Sequence, residues 1–259
     1  MSFERISVKK PEGIEKMREA GRRLALVHEE LKKAVRPGIS TGELNRIADT
    51  VIRDLHCVPN FLDYQGFPAT ACISVNDEVV HGIPDDSHYL DEGDIVSLDL
   101  GLIYDGWHSD AARTYGVGEI TREDALLIER TRESFFEGIR HARAGRHLHE
   151  ISNAIADYAE GFGYGVVYDL CGHGIGRKLH EPPEIFNCHM QGKGPRLKAG
   201  MTLAVEPMIN AGAPDVFWDE EDGWTVLTED GSNSAHYENT ILITNGDPEI
   251  LTIMKEEQI

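Results

Sequence analysis

The chain repeats itself at a fixed distance of 107 residues, and this limits its fold more than any other feature. Arg36 and Arg143, Gly38 and Gly145, Glu43 and Glu150, Leu44 and Ile151, Gly93 and Gly200, and Asp99 and Glu206 all stand 107 apart. Similar stretches of sequence fold alike, so the repeat predicts two copies of one unit related by an approximate two-fold axis. Local signals point the same way. Pro11, Ile14, Met17, Leu24, Leu31 and Val35 trace one helical face over 11–36, and Pro37-Gly38 stops it. Thr41 is the expected cap of a second helix carrying Leu44, Ile47, Ala48, Val51, Ile52 and Leu55. Strand-like text follows over 71–75 and 94–103. The order then restarts: Thr121 with Asp124 opens a helix running to about Ala144, a second helix carries Leu148, Ile151, Ile155 and Tyr158, and strand text returns at 164–170, 201–205 and 240–244. The fold class is α/β (α+β): an antiparallel sheet core flanked by two helix pairs. It forms a single domain over 1–259, with halves at about 11–119 and 120–245.

The repeat carries acids into the core. Each strand pair holds a second carboxylate two residues after a histidine, His108-Ser-Asp110 and His236-Tyr-Glu238. These acids are 128 apart, so the second half has 21 extra residues between its two carboxylates, including Trp224. Asp105-Gly106 suits a two-residue type I′ hairpin turn. Such a turn sets Asp99 opposite Ala112 and Asp110 opposite Gly101, which makes Asp99 and Asp110 diagonal neighbours on one face. Diagonal neighbours are roughly 7–8 Å apart, within reach of a shared cation. Apolar residues flank Asp99 and Glu206. Buried carboxylates must be neutralised, and no lysine or arginine stands beside them in sequence, so divalent metal is the expectation.

Histidines add to the donor set. His173 lies in the glycine-rich run Cys171-Gly-His-Gly-Ile-Gly176, where another backbone or a ligand approaches closely. His180 follows at odd spacing, which suits a place beside the ligands better than among them. His81 stands on a turn before Gly82-Ile83-Pro84. His28, His56, His88, His141, His147, His149 and His189 read as ordinary polar groups. Four carboxylates with one imidazole favour Mn, Fe(II) or Co over a structural zinc site, with zinc left open. Competing motifs fail: His180-Glu181-Pro182-Pro183-Glu184 is not a helical H-E-x-x-H, Gly172-x-Gly174-x-Gly176 has the wrong spacing for a dinucleotide loop, and no nucleophile elbow or Walker loop occurs.

Composition narrows the partners. The 259 residues carry 25 Lys plus Arg and 45 Asp plus Glu, a net charge of −20. That charge argues against sequence-specific nucleic-acid binding and against an anionic membrane surface. Four cysteines without C-x-x-C spacing are no disulfide framework, and neither a signal core nor an apolar run of membrane length is present, so the expected location is cytoplasmic.

These motifs together resemble the type I methionine aminopeptidases. The resemblance runs from about Ile14 to Thr244 and rests on Asn76-Asp-Glu-Val-Val-His81-Gly-Ile-Pro84, Asp99-x10-Asp110, Cys171-Gly-His-Gly-Ile-Gly176 with His180, Gly200-Met-Thr-Leu-Ala-Val-Glu206-Pro, and Tyr237-Glu238-Asn-Thr. It implies the pseudo-symmetric pita-bread fold and removal of the N-terminal methionine from nascent proteins whose second residue is small. It implies two divalent ions (Co, Mn, Fe(II) or Zn) held by Asp99, Asp110, His173, Glu206 and Glu238, with a bridging hydroxide attacking the scissile carbonyl. Glu206 would move the proton, His180 would stabilise the carbonyl oxygen, and His81 would contact the scissile amide. Phe61, Tyr64, Phe67, Cys72, Leu179 and Trp224 would form the methionine pocket. The absence of a cysteine-rich extension and of a large insertion matches the minimal bacterial form. The expected partners are nascent N-terminal peptides and a transient ribosome contact, with the protein a monomer. Two other readings share the fold: a peptidase of the proline aminopeptidase or prolidase type, and a non-catalytic binding protein. The chain's own Met1-Ser2 start is itself a substrate of the expected kind.

Overall fold

Alternation along two strand pairs decides what faces the helices and what faces inward. The computed structural model describes residues 6–254 and Glu257; the Met1-Ser2 start lies outside them. Helix α1 (Pro11–Ala34) opens on proline and stops short of Arg36, because a residue preceding proline is pushed out of helical geometry. Helix α2 (Thr41–Asp54) is capped by Ser40, not Thr41: Ser40 Oγ accepts from Glu43 N at 3.1 Å, while the Thr41 hydroxyl donates to Asp85 O. Helix α3 (Arg122–Ile139) is capped by Thr121 as expected, but ends before Ala144. The residues beyond it turn toward the rest of the chain: Ala144 N donates to Thr244 O at 2.8 Å and Gly145 N to Leu197 O at 2.9 Å. Helix α4 (Leu148–Glu160) is capped by His147, whose backbone N–H donates to Glu150. His147 therefore has a structural task that its sequence context did not suggest.

In the first half, β1 (Ala71–Val75) pairs with β2 (Ile95–Tyr104), which forms a hairpin with β3 (Trp107–Gly116). Asp105 and Gly106 have φ of 48° and 75°, as a type I′ turn requires. Asp99 lies opposite Ala112 and Asp110 opposite Gly101, the expected register. Leu98, Leu100 and Leu102 point out to a core shared with Leu24, Val27 and Leu31 of α1 and Leu44 and Ile52 of α2. The acids point to the other face.

The second half contains β4 (Cys171–Gly174), β5 (Glu181–Phe186), β6 (Thr202–Val205), β7 (Ser234–His236) and β8 (Asn239–Leu242). The antiparallel sheet runs β8, β6, β4, β5 from the short strand Glu249–Ile250. Leu203, Val205 and Ile241 pack against Phe135 and Ile139 of α3 and Leu148, Ile151 and Ile155 of α4. The strand text expected over 164–170 contracts to Gly165–Val166.

The halves meet where β3 runs beside residues 236–240. Glu238 N donates to Ala112 O at 3.0 Å, Asp110 N donates to Thr240 Oγ1 at 3.0 Å, and His236 N donates to Thr114 Oγ1 at 2.8 Å. The symmetry is imperfect. In the second half Asn239 lies opposite Val205 and Thr240 opposite Ala204, so one further step of that ladder would set Glu238 across from Glu206. Asp99 and Asp110 are instead a diagonal pair. The 21-residue excess holds a hairpin of Val216–Trp218 and Val226–Thr228, and its second strand pairs with Glu78–Val80 of the first half. No helix among the described residues is long and apolar enough to cross a membrane.

Candidate metal centre and substrate cavity

Each acid reaches the site from a different piece of backbone: Asp99 from β2, Asp110 from β3, Glu206 just past β6, and Glu238 between β7 and β8. His173 arrives on β4. Gly172 and Gly174 let it do so, because a Cβ on Gly172 would sit 2.3 Å from Ala204 O and one on Gly174 equally close to Pro182 O. The close approach expected of this glycine run is thus between strands. His173 Nδ1 donates to Gly174 O at 2.9 Å, which leaves Nε2 as the bare nitrogen. That nitrogen is 3.6 Å from Asp110 Oδ2 and 3.6 Å from Glu206 Oε1. Bonds of about 2.1 Å to one tetrahedral ion place neighbouring ligand atoms roughly 3.4 Å apart, so the spacing suits a common metal.

Asp110, His173 and Glu238 each offer a ligand atom within 4.8 Å of the others, and all three are buried. Asp99 and Glu206 are half-buried beside them. Burial raises all four carboxyls, Asp110 to about 8 and the other three well above the carboxylate range; Asp99, Glu206 and Glu238 are raised further by the charges of the neighbouring acids. Burial lowers His173 to about 4, so its ring is neutral and able to ligate. Asp99 Oδ1, Asp110 Oδ1 and Glu238 Oε1 are enclosed without a hydrogen-bond partner among the described residues. No Lys or Arg among the described residues lines the cavity to neutralise them. A set of enclosed, unpartnered carboxylate oxygens around a bare imidazole nitrogen fits divalent metal.

The centre forms one wall of a cavity of about 210 Å³. Phe61, Tyr64, Phe67, Cys72, Leu179 and Trp224 line its apolar part and belong to one hydrophobic cluster. Cys72 pairs across the sheet with Asp99, which puts the apolar pocket directly against the acids. Phe67 and Trp224 meet edge to face at 5.2 Å, so the insertion hairpin closes the pocket across the half boundary. His180 sits at the exposed mouth, its ring 4.2 Å from that of His173, with Nδ1 2.7 Å from Tyr64 Oη. It is not in the tight Asp110–His173–Glu238 group, which leaves out Asp99 and Glu206 as well. His81 also lines the cavity and holds a left-handed φ of 61°, an unfavourable conformation for a non-glycine residue and one that recurs at functional sites.

The thirteen residues singled out from sequence all line this one cavity, together with Gln65. Two neighbouring groups went unread. Gln65 stands in a 3-10 turn at 64–66, where sequence alone gives no facing. His236 was read only as a marker of the repeat, yet its Nε2 is 3.8 Å from Glu206 Oε2. The recurring His-x-acid pattern was the available signal.

The model of metallopeptidase family M24 matches residues 15–245. The methionine aminopeptidase of Clostridium perfringens is 52% identical over 250 residues, covering 96% of this chain and 100% of that one. Methionine aminopeptidase 1 of Bacillus subtilis is 49% identical, covering 95% and 99%. The crystal structure of the Thermotoga maritima methionine aminopeptidase superposes with a TM-score of 0.93 at 42% identity, covering 96% and 99%. With that fold around this cavity, the chain belongs to metallopeptidase family M24 and, within it, to the type I methionine aminopeptidases of bacteria.

Proposed function

We propose that this chain is a metal-dependent aminopeptidase that removes the N-terminal methionine from nascent proteins whose second residue is small. The observation that carries the reading is the junction of an apolar pocket and a carboxylate–imidazole centre in a single cavity of about 210 Å³. A flexible thioether suits a pocket walled by aromatic rings and a thiol. Asp99, Asp110, His173, Glu206 and Glu238 would hold two divalent ions, drawn from Co, Mn, Fe(II) or Zn. The ions, when bound, supply Lewis acidity toward water and the scissile carbonyl. The chain's own groups do the rest. The apolar pocket holds the methionine side chain and excludes water from it. Glu206 takes a proton and returns it to the departing amine. His180, set against Tyr64, donates to the carbonyl oxygen as it gains charge. His81 faces the scissile nitrogen. We further propose a cytoplasmic monomer meeting its substrates at the ribosome; four free cysteines support a reducing compartment.

The test is release of methionine from Met-Ala-Ser by metal-stripped protein supplied with each ion in turn, alongside X-Pro peptides. Activity restored by at least one ion is expected, with Asp110→Asn reducing kcat/KM by more than about 100-fold, since even groups that merely support metal ligands cost 10–100-fold. Faster hydrolysis of X-Pro peptides points to the proline peptidases. Metal uptake without hydrolysis of either substrate points to a binding protein.

A further inference from the structure

Glu206 lies between two imidazoles. Its Oε1 is 3.6 Å from His173 Nε2, and its Oε2 is 3.8 Å from His236 Nε2. His173 lines the cavity; His236 does not. His236 stands behind the carboxylate on β7, is 1% exposed, and has no hydrogen-bond partner among the described residues at either ring nitrogen. Buried polar groups are nearly always paired, so an imidazole orphaned at both nitrogens calls for a partner acquired during function. Its position is fixed: its backbone N–H donates to Thr114 Oγ1 at 2.8 Å, and that hydroxyl lies 3.0 Å from its carbonyl oxygen. Its repeat counterpart, His108, differs in having a side-chain neighbour, Asn60 Nδ2 at 3.4 Å from its Nδ1. His236 is left facing the Glu206 carboxylate.

We infer that His236 is a positioning residue for Glu206: its Nε2–H donates to Glu206 Oε2 and so keeps Oε1 turned toward His173. This rests on the metallo-aminopeptidase reading above. The 3.8 Å separation is ion-pair reach, and the hydrogen bond requires it to shorten to about 3 Å. A carboxylate held by one oxygen presents the other in a single orientation. Support of this kind is worth 10–100-fold in metal affinity or turnover. The proton on Nε2 leaves Nδ1 as the bare nitrogen, which gives the proposal a spectroscopic signature as well.

The test compares His236→Gln and His236→Leu with the wild-type holoenzyme. Glutamine keeps an N–H donor; leucine keeps the bulk and removes the donor. For His236→Leu we expect kcat on Met-Ala-Ser to fall roughly 10–100-fold with KM within about twofold, and the dissociation constant for Mn(II) by calorimetry to rise over a similar range. His236→Gln restores both to within about threefold. His236→Leu equal to wild type in both, or His236→Gln as impaired as His236→Leu, overturns the inference. Should the leucine variant fail to fold, the imidazole nitrogen resonances of wild-type holoenzyme decide: a protonated Nε2 is expected, and a protonated Nδ1 overturns it. A wild-type protein that binds no divalent ion overturns the proposed function and this inference together. A wild-type protein that binds metal and releases methionine, matched by His236→Leu, overturns the inference alone.

Discussion

At the scale of single residues, the histidines divide by what surrounds them. His28 on α1 is fully buried and its Nε2 donates to Ala111 O at 3.0 Å. Burial, helped by the charge of Arg113, lowers it to about 3. The folded value lies below the unfolded value of about 6.5, so the folded protein binds fewer protons in between. Its contribution to stability is complete above about pH 6.5 and is lost as pH falls toward 3, at about 1.4 kcal/mol per pH unit. Urea denaturation at pH 7 and pH 5 should therefore show a larger loss for wild type than for His28→Gln, which keeps a donor but does not titrate. Equal losses would remove His28 from the account. Sequence offers no hint of this histidine's state, since it shares a helical face with Leu24 and Leu31 and reads as a neutral interruption. Asp99 and Glu206 were different: they stand 107 apart among apolar residues, and an acid in such a place must be neutralised.

Among elements, the seam between β3 and residues 236–240 is the joint on which the site depends. Thr240 Oγ1 both accepts from Asp110 N and donates to Asp110 O. Thr240→Val removes the hydroxyl and leaves two buried backbone groups of Asp110 unpaired, an expected loss of roughly 1–3 kcal/mol for each. Chemical denaturation measures that loss. We expect kcat/KM to fall more steeply than stability, because the strand that moves carries Asp110; activity retained in a destabilised variant would show that the seam supports the fold without aiming the site. Element starts and hairpin registers were legible because their causes are local: a proline, a capping hydroxyl, an Asp-Gly turn. The end of α3 was not, because Ala144 and Gly145 leave the helix to bond Thr244 and Leu197, which are remote in sequence. The two-residue departure from symmetry beside Glu206 was hidden for the same reason, since repeat offsets record spacing along the chain and not pairing across it.

Across the whole molecule, the fold sets its stability against its site. Burial holds the four acids above their ordinary range, Asp110 at about 8 against about 3.9 unfolded, and repulsion from neighbouring acids adds to it for Asp99, Glu206 and Glu238. Without metal, the folded state gains protons relative to the unfolded state; the stability contributed by Asp110 is fully present below about pH 4 and is lost as pH rises toward 8. Divalent ions replace those protons. The rise in Tm on adding Mn(II) should therefore be larger at pH 7.5 than at pH 5.5, as scanning calorimetry would show; a pH-independent rise would mean that the ion binds elsewhere. Asp110 and Thr240, which complete the seam, are 130 residues apart in the chain. Contacts of such separation form late, after the elements that bring them together. A partly made polypeptide thus has a first half with Asp99 and Asp110 but no Glu206, Glu238 or His173 to face them. Assembly of the centre is an event in time as well as in space: the residues that close it stand beside some of the last strands to be synthesised.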